Sequence, residues 1–306
     1  MNWFGVMPAM TTPFDSTLAV DHAFLARHAS WLLANGCTGL VMLGSLGEGA
    51  TLEHAEKLAI LKTAVDVSAR KKTPVVASIS ALSTSNAVKL AREAEAAGCD
   101  GLMVLPPYVY TSDWREMKYH VSTVIGATKL PCMLYNNPVA YKTDFLPEQI
   151  KELASEHENL QAVKESSADV RRIAAIREVL DERLTIFVGV DDLLVEGVNA
   201  GARGWVAGLV NAFPAESVEL FNLASAGRHQ EAFALYRWFL PLLRMDTVPK
   251  FVQLIKWVQG ETGTGSAKVR APRLEINGVE LEEAQHVLKV ALANHPTVKS
   301  SPFAAL

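Results

Sequence analysis

The chain has 306 residues, 49% of them hydrophobic and 20% charged, with a formal net charge of -4; this is enough to build a large core in one or two domains. Acids and bases are interspersed, so the basic stripe that phosphate backbones or anionic lipids require is missing, and neither nucleic acid nor a membrane is expected as a partner. No apolar run approaches the ~20 residues of a bilayer span, and the opening MNWFGVMPAM carries no basic segment followed by a long apolar one, so a cytoplasmic location is expected.

Short apolar runs open in turn at Gly5 (GVMPAMTTPF), Gly39 (GLVMLGS), Pro74 (PVVASIS), Gly101 (GLMVLPP), Pro131 (PCMLYNN), Leu160 (LQAVKES), Leu184 (LTIFVGV) and Gly204 (GWVAGLV). Each is too short for a helix, and their continuous apolar character predicts strands covered on both faces, as in a parallel sheet. Between them apolar residues recur three and four apart, in segments opening at His22, Thr51, Thr84, Asp113, Leu146 and Ser166, which predicts helices with a polar outer face. NGCTGLVMLG, AGCDGLMVLP and AGARGWVAGL repeat one form, in which a first glycine ends a helix and a second opens a strand. Eight such alternations without a linker predict a closed (β/α)8 TIM barrel of ~250 residues. Helical patterns continue in PAESVELFNLASAG from Pro214, HQEAFALYRWFLPLLRM from His229, VPKFVQLIKWVQG from Val248 and LEEAQHVLKVALANH from Leu281. The expected organisation is residues 1–211 as barrel strands and helices, and residues 212–306 as the last barrel helix plus a small carboxy-terminal helical appendage packed on the barrel. Cys37, Cys99 and Cys132 sit in apolar surroundings at scattered spacing and are read as small core residues rather than a disulfide framework or a metal site. The histidines fall in helical or polar stretches away from acidic clusters, so no metal is expected.

In such a barrel the chemistry sits at the carboxyl ends of the strands. Those ends read GSLGEG (Gly44 to Gly49), PPYVY (Pro106 to Tyr110), YNNP (Tyr135 to Pro138), KESS (Lys164 to Ser167) and GVDD (Gly189 to Asp192). Lys164 is the only lysine within a strand run. A dry interior disfavours an ammonium, and the neutral amine that results is a nucleophile able to form a Schiff base, whose iminium then activates the neighbouring carbon. The alternative is a structural lysine paired with Glu165, Asp191 or Asp192. Tyr135 ends the preceding strand, ~4.8 Å away, and is a candidate proton shuttle, with Ser45 and Tyr108 as the hydroxyls available to relay the proton. GSLGEG lacks the lysine of a P-loop and the spacing of a dinucleotide site; its amides, with Ser45, are suited to a small anion such as a carboxylate.

GSLGEGATL, LPPY, YNNP, VKESS and GVDD, in this order over nearly the whole chain, resemble the motifs of the dihydrodipicolinate synthase and N-acetylneuraminate lyase family of class I Schiff-base lyases. The resemblance implies a Schiff-base lysine at Lys164, a proton-transfer tyrosine at Tyr135 and carboxylate binding by Ser45 and the amide of Leu46. It also implies a 2-oxo acid or its imine as substrate, no cofactor beyond the covalent Schiff base, and a homo-oligomer, tetramer or dimer. Gly47, Asn137, Tyr141, Gly189 and Val206 join Ser45 and Leu46 as candidate substrate contacts. Three positions depart from the family's condensing enzymes. Ala140 stands where they carry an arginine for the second substrate's carboxylate, Val109 where they carry a second tyrosine, and Leu46 where a second hydroxyl is usual. YNNPVAY with VKESSADVRRI looks most like the 1-pyrroline-4-hydroxy-2-carboxylate deaminases. The implied reaction is attack of Lys164 on C2, ring opening, deprotonation of C3 by Tyr135, loss of the hydroxyl as water, and release of ammonia and 2,5-dioxopentanoate. Asn136, Asn137, Tyr141 and Lys142 are expected near the distal polar group. The alternatives are a 4-hydroxy-tetrahydrodipicolinate synthase, a 2-keto-3-deoxy sugar-acid aldolase or dehydratase, and, from another class, a non-catalytic small-molecule-binding barrel.

Overall fold

A computed structural model describes residues 1–108, 110–300 and Phe303; Val109 lies outside the described residues. The apolar runs form β1 (Gly5–Pro8), β2 (Leu40–Met42), β3 (Val75–Ile79), β4 (Gly101–Val104), β5 (Cys132–Asn136), β6 (Leu160–Glu165), β7 (Thr185–Val188) and β8 (Gly204–Ala207). All are parallel, in the order β1-β8-β7-β6-β5-β4-β3-β2. A bridge between Ala9 and Val41, with the Met10 amide donating to the Val41 carbonyl at 2.9 Å, joins β1 to β2 and closes the TIM barrel. Almost every strand residue is buried, which is the physical origin of the continuous apolar runs.

The helices are α1 (His22–Ala34), α2 (His54–Ala69), α3 (Thr84–Ala96), α4 (Trp114–Ile125), α5 (Pro138–Tyr141), α6 (Pro147–Glu156), α7 (Arg171–Leu180), α8 (Leu194–Asn199), α9 (Pro214–Ser225), α10 (His229–Leu243), α11 (Phe251–Glu261) and α12 (Gly278–Ala293). Local chemistry sets their starts: Asp21 accepts from the Phe24 amide, Ser83 from the Asn86 amide, and Asp113 and Glu116 form a reciprocal box at α4. The helix expected from Ser166 begins only at Arg171. The residues between form a loop in which Ala168 takes a left-handed φ of 62°, and this loop leaves Ser166 at the barrel mouth. One-turn α5, for which the sequence offers too few residues to show a period, opens on Pro138. Among the described residues no helix is long and apolar enough to cross a membrane. Cys37, Cys99 and Cys132 are buried and unbridged.

Candidate active site

Alternate residues of a strand face the same side, so each strand lends the barrel interior one side chain per layer. Met7, Val41, Val76, Met103, Met133, Ala162, Phe187 and Val206 form a buried apolar cluster there, together with Trp3, Leu105 and Tyr135. The same alternation, two residues further along each strand, reaches Ser78, Leu105, Tyr135, Lys164, Gly189 and Gly208. Lys164 and Tyr135 are register partners on β6 and β5. Their neighbours Asn136 and Glu165, also paired in register, face outward: Asn136 Nδ2 donates to Glu165 Oε2 and to Asp144 Oδ1, both at 3.0 Å, and Asn136 Oδ1 accepts from the Phe145 amide at 2.9 Å. Asn136 is therefore fully committed behind the sheet rather than near the distal end of a substrate, and Glu165 is not the partner of Lys164.

Lys164 is buried and takes part in no ion pair among the described residues; its Nζ lies 4.3 Å from the centroid of the Tyr135 ring. Burial holds its amine below the ordinary lysine range, opposed by the negative charges available at Asp246, Tyr141 and Asp191. Gly189 makes this placement possible. A Cβ there would stand 2.7 Å from Lys164 Cε and 1.9 Å from Ser166 Oγ, so the role the coordinates give Gly189 is to let the lysine lie across the end of β7.

The Tyr135 hydroxyl accepts from Asn137 Nδ2 at 3.0 Å, and Asn137 is itself fixed because its Oδ1 caps α5 through the Ala140 amide at 2.9 Å. Burial, outweighing that donor, pushes the phenol up to about 12. Ser45 Oγ is hydrogen-bonded to the Tyr141 hydroxyl, and the Tyr141 ring meets that of Tyr135 edge-on, centroids 5.8 Å apart at 84°. Tyr108, expected as a relay beside Ser45, instead accepts from Ser80 Oγ at 3.2 Å and is linked to Tyr141 only by ring contact at 5.8 Å. The chain of hydroxyls nearest Lys164 thus runs from Ser45 through Tyr141 toward Tyr135. The reason is α5, whose single turn swings Tyr141 back over the mouth. Leu46 packs its side chain into the helix-facing core, leaving only its amide for a ligand. Gly47 is pinned by Thr12 Oγ1, which donates to its carbonyl at 2.7 Å. Val206 belongs to the apolar floor, and Lys142 turns its Nζ back to the Val139 carbonyl at 3.1 Å.

Four polar residues at the mouth escaped the strand-end reading in whole or part. Asp191 accepts from Trp205 Nε1 at 3.0 Å, the Gly208 amide at 3.1 Å and the Leu209 amide at 2.8 Å, and burial, opposed by these donors and by Lys164, moves it up to about 6. Ser166 and Ser78 are buried; the Ser78 hydroxyl has no hydrogen-bond partner among the described residues, and that of Ser166 faces the Tyr135 phenol and favours its ionised form. Asp246 lies beyond α10, where no strand ends, yet its Oδ1 stands 2.4 Å from where a Cβ on Gly208 would be.

A model of the dihydrodipicolinate synthetase family matches residues 2–291. The chain is 31% identical over 291 residues to the 4-hydroxy-tetrahydrodipicolinate synthase of Methanococcus aeolicus, covering 95% of this chain and 98% of the relative. It is 36% identical over 224 residues to that of Natronomonas pharaonis, covering 73% and 75%. Among solved structures, the 4-hydroxy-tetrahydrodipicolinate synthase of Methylacidiphilum fumariolicum superposes with a TM-score of 0.91 at 26% identity, covering 95% of this chain and 97% of that one.

Proposed function

The chain belongs to the dihydrodipicolinate synthetase family of class I Schiff-base lyases, and from that premise we propose that it deaminates 1-pyrroline-4-hydroxy-2-carboxylate to 2,5-dioxopentanoate. The observation that carries this choice is the turn after β5. Ala140 is exposed there, Lys142 folds back on its own turn, and the residue that reaches toward Lys164 is Tyr141. The turn therefore presents a phenol toward Lys164 while its cation is turned back on its own backbone, which suits a substrate whose far end is a hydroxyl or an amine better than one bearing a second carboxylate.

In this reading the neutral Lys164 amine adds to C2 of the cyclic imine and the ring opens, leaving an iminium on the lysine and a free amine at C5. The substrate carboxylate is held by Ser45 and the Leu46 amide. Tyr135, whose high pKa keeps it protonated at rest, gives up its proton through the hydroxyls at its side and takes one from C3, since an iminium beside its ring favours the phenolate. Loss of the C4 hydroxyl, then hydrolysis of the lysine adduct and of the C5 imine, releases ammonia. The balance is one substrate and one water in, 2,5-dioxopentanoate and ammonia out, with no oxidant. The second reading, a 4-hydroxy-tetrahydrodipicolinate synthase, is favoured by the activity named for the relatives above. One assay separates the two: ammonia released from the hydroxypyrroline supports the deaminase, and pyruvate-dependent consumption of aspartate semialdehyde without that release supports the synthase.

A further inference from the structure

We infer that Asp246 is the acid that binds the substrate's C4 hydroxyl and hands it the proton with which it leaves as water. The inference rests on a Schiff base at Lys164, and extends that reading to a residue outside every strand-end motif.

The geometry begins with two glycines. On the inward face of the barrel, the alternation that carries Phe187 and Val206 reaches Gly189 just beyond β7 and Gly208 just beyond β8, past Phe187 and Gly204, the register partners that continue from Lys164. A side chain at 208 would collide with Asp246 Oδ1 at 2.4 Å and with Ile255 Cδ1 at 2.9 Å. The carboxyl of Asp246 therefore occupies the volume that a side chain at 208 would fill, and of the charges acting on Lys164 it is the strongest. At Gly189 the missing side chain is what lets Lys164 Cε and Ser166 Oγ share the end of β7. Ser166 Oγ is buried at the same end of β7, 1.9 Å from where a Cβ on Gly189 would be, and acts on the Tyr135 phenol, so a polar group stands on the Lys164 side of this space as well.

Apart from Lys164, no cation faces Asp246 among the described residues. The groups that face it are Asp191, Asp192 and Lys164, with the Asp191 amide donating to its carboxyl. Burial and Asp191 hold it well above the ordinary carboxylate range, against the pull of Lys164, which favours the protonated form that a proton donor needs. Arg244 at the rim approaches Asp192 at 3.8 Å rather than Asp246.

The step is balanced. Tyr135, as phenolate, takes the C3 proton; the C3–H electron pair becomes the C3–C4 double bond; the C4–O bond breaks; the Asp246 proton goes to the departing oxygen; water leaves and Asp246 is left as a carboxylate. The substrate class selected is a 2-imino or 2-oxo acid with a hydroxyl on C4.

The test compares the wild-type enzyme with Asp246→Asn on two substrates, the hydroxypyrroline and 4,5-dihydroxy-2-oxopentanoate, with borohydride trapping and intact mass. Asp246→Asn is expected to trap pyruvate on Lys164 as the wild type does, to lose about 100-fold or more in dehydration, and to accumulate a substrate adduct that still carries the hydroxyl. Wild-type dehydration of the open-chain substrate alone, abolished in the variant, supports Asp246 and overturns the deaminase reading. Equal dehydration by variant and wild type, or loss of pyruvate trapping in a folded variant, overturns the role of Asp246 and leaves the deaminase reading standing. Dehydration of neither substrate by the wild type overturns both.

Discussion

Among the described residues two lysines are buried, and they differ in what surrounds the ammonium. Lys256 on α11 is 1% exposed and Lys164 on β6 is 6% exposed. Each has an aromatic ring at 4.3 Å, Phe14 for Lys256 and Tyr135 for Lys164, and burial lowers the pKa of both. Lys256, however, donates to Glu48 Oε1 at 2.7 Å and to the Thr12 carbonyl at 2.9 Å, while the other oxygen of Glu48 accepts from the Arg270 amide at 3.0 Å. Lys164 has no such partner among the described residues. Burial alone therefore does not distinguish a reactive lysine from a structural one. A saturated carboxylate favours the charged form of Lys256 against its burial and stitches the Gly44–Gly49 turn to α11, whereas the amine over Tyr135 is left free to lose its proton and bond to carbon.

The sharpest way to break this contrast is to delete each amine. Lys164→Ala should abolish turnover and leave no adduct after borohydride treatment with pyruvate, while the unfolding free energy measured in denaturant moves by no more than about 2 kcal/mol. Loss of folding in that variant would make Lys164 structural after all. Lys256→Met should do the reverse: the protein still forms the pyruvate adduct at temperatures where it is folded, but loses about 3–5 kcal/mol of stability because Glu48 is left buried and unpaired. Combining it with Glu48→Leu should restore most of that loss, since removing both members of a buried pair is often close to neutral. A double variant as unstable as the single one would mean that the pair is not what the turn depends on.

The same contrast explains what could be read from the chain beforehand. The eight strands were legible because a strand buried on both faces is apolar without interruption, and Lys164 and Tyr135 stood out as polar residues ending such runs. Glu48 was visible in GSLGEG but read as part of an anion-binding mouth, because its partner lies 208 residues away on a helix and no periodicity links them. Tyr108 was read as the relay hydroxyl and Tyr141 only as a substrate contact; the difference is made by Pro138 and the one-turn helix behind it, too short to leave a pattern. Asp246 had no signal of its own in LLRMDTVPK. Its inward reach depends on Gly208, and in AGARGWVAGL that glycine reads as one more punctuation mark after a strand.

The smallest effect expected is a shift along the pH axis, and it bears most directly on why the two lysines differ. Schiff-base formation needs the neutral amine, so the rate of pyruvate trapping on Lys164 should rise as pH rises. A free lysine would reach half of its maximal rate near ~10.4. Burial disfavours the ammonium at Lys164, while Asp246, Tyr141 and Asp191 favour it to the extent that they carry charge. Of these three Asp246 opposes burial most, yet burial outweighs them together. The midpoint should therefore lie below the free-lysine value, each unit of displacement corresponding to about 1.4 kcal/mol between the two protonation states. A midpoint at or above ~10.4 would mean that those carboxyls are ionised and outweigh the loss of water around the amine. Lys164 would then be electrostatically paired much as Lys256 is, and its reactivity would need another source.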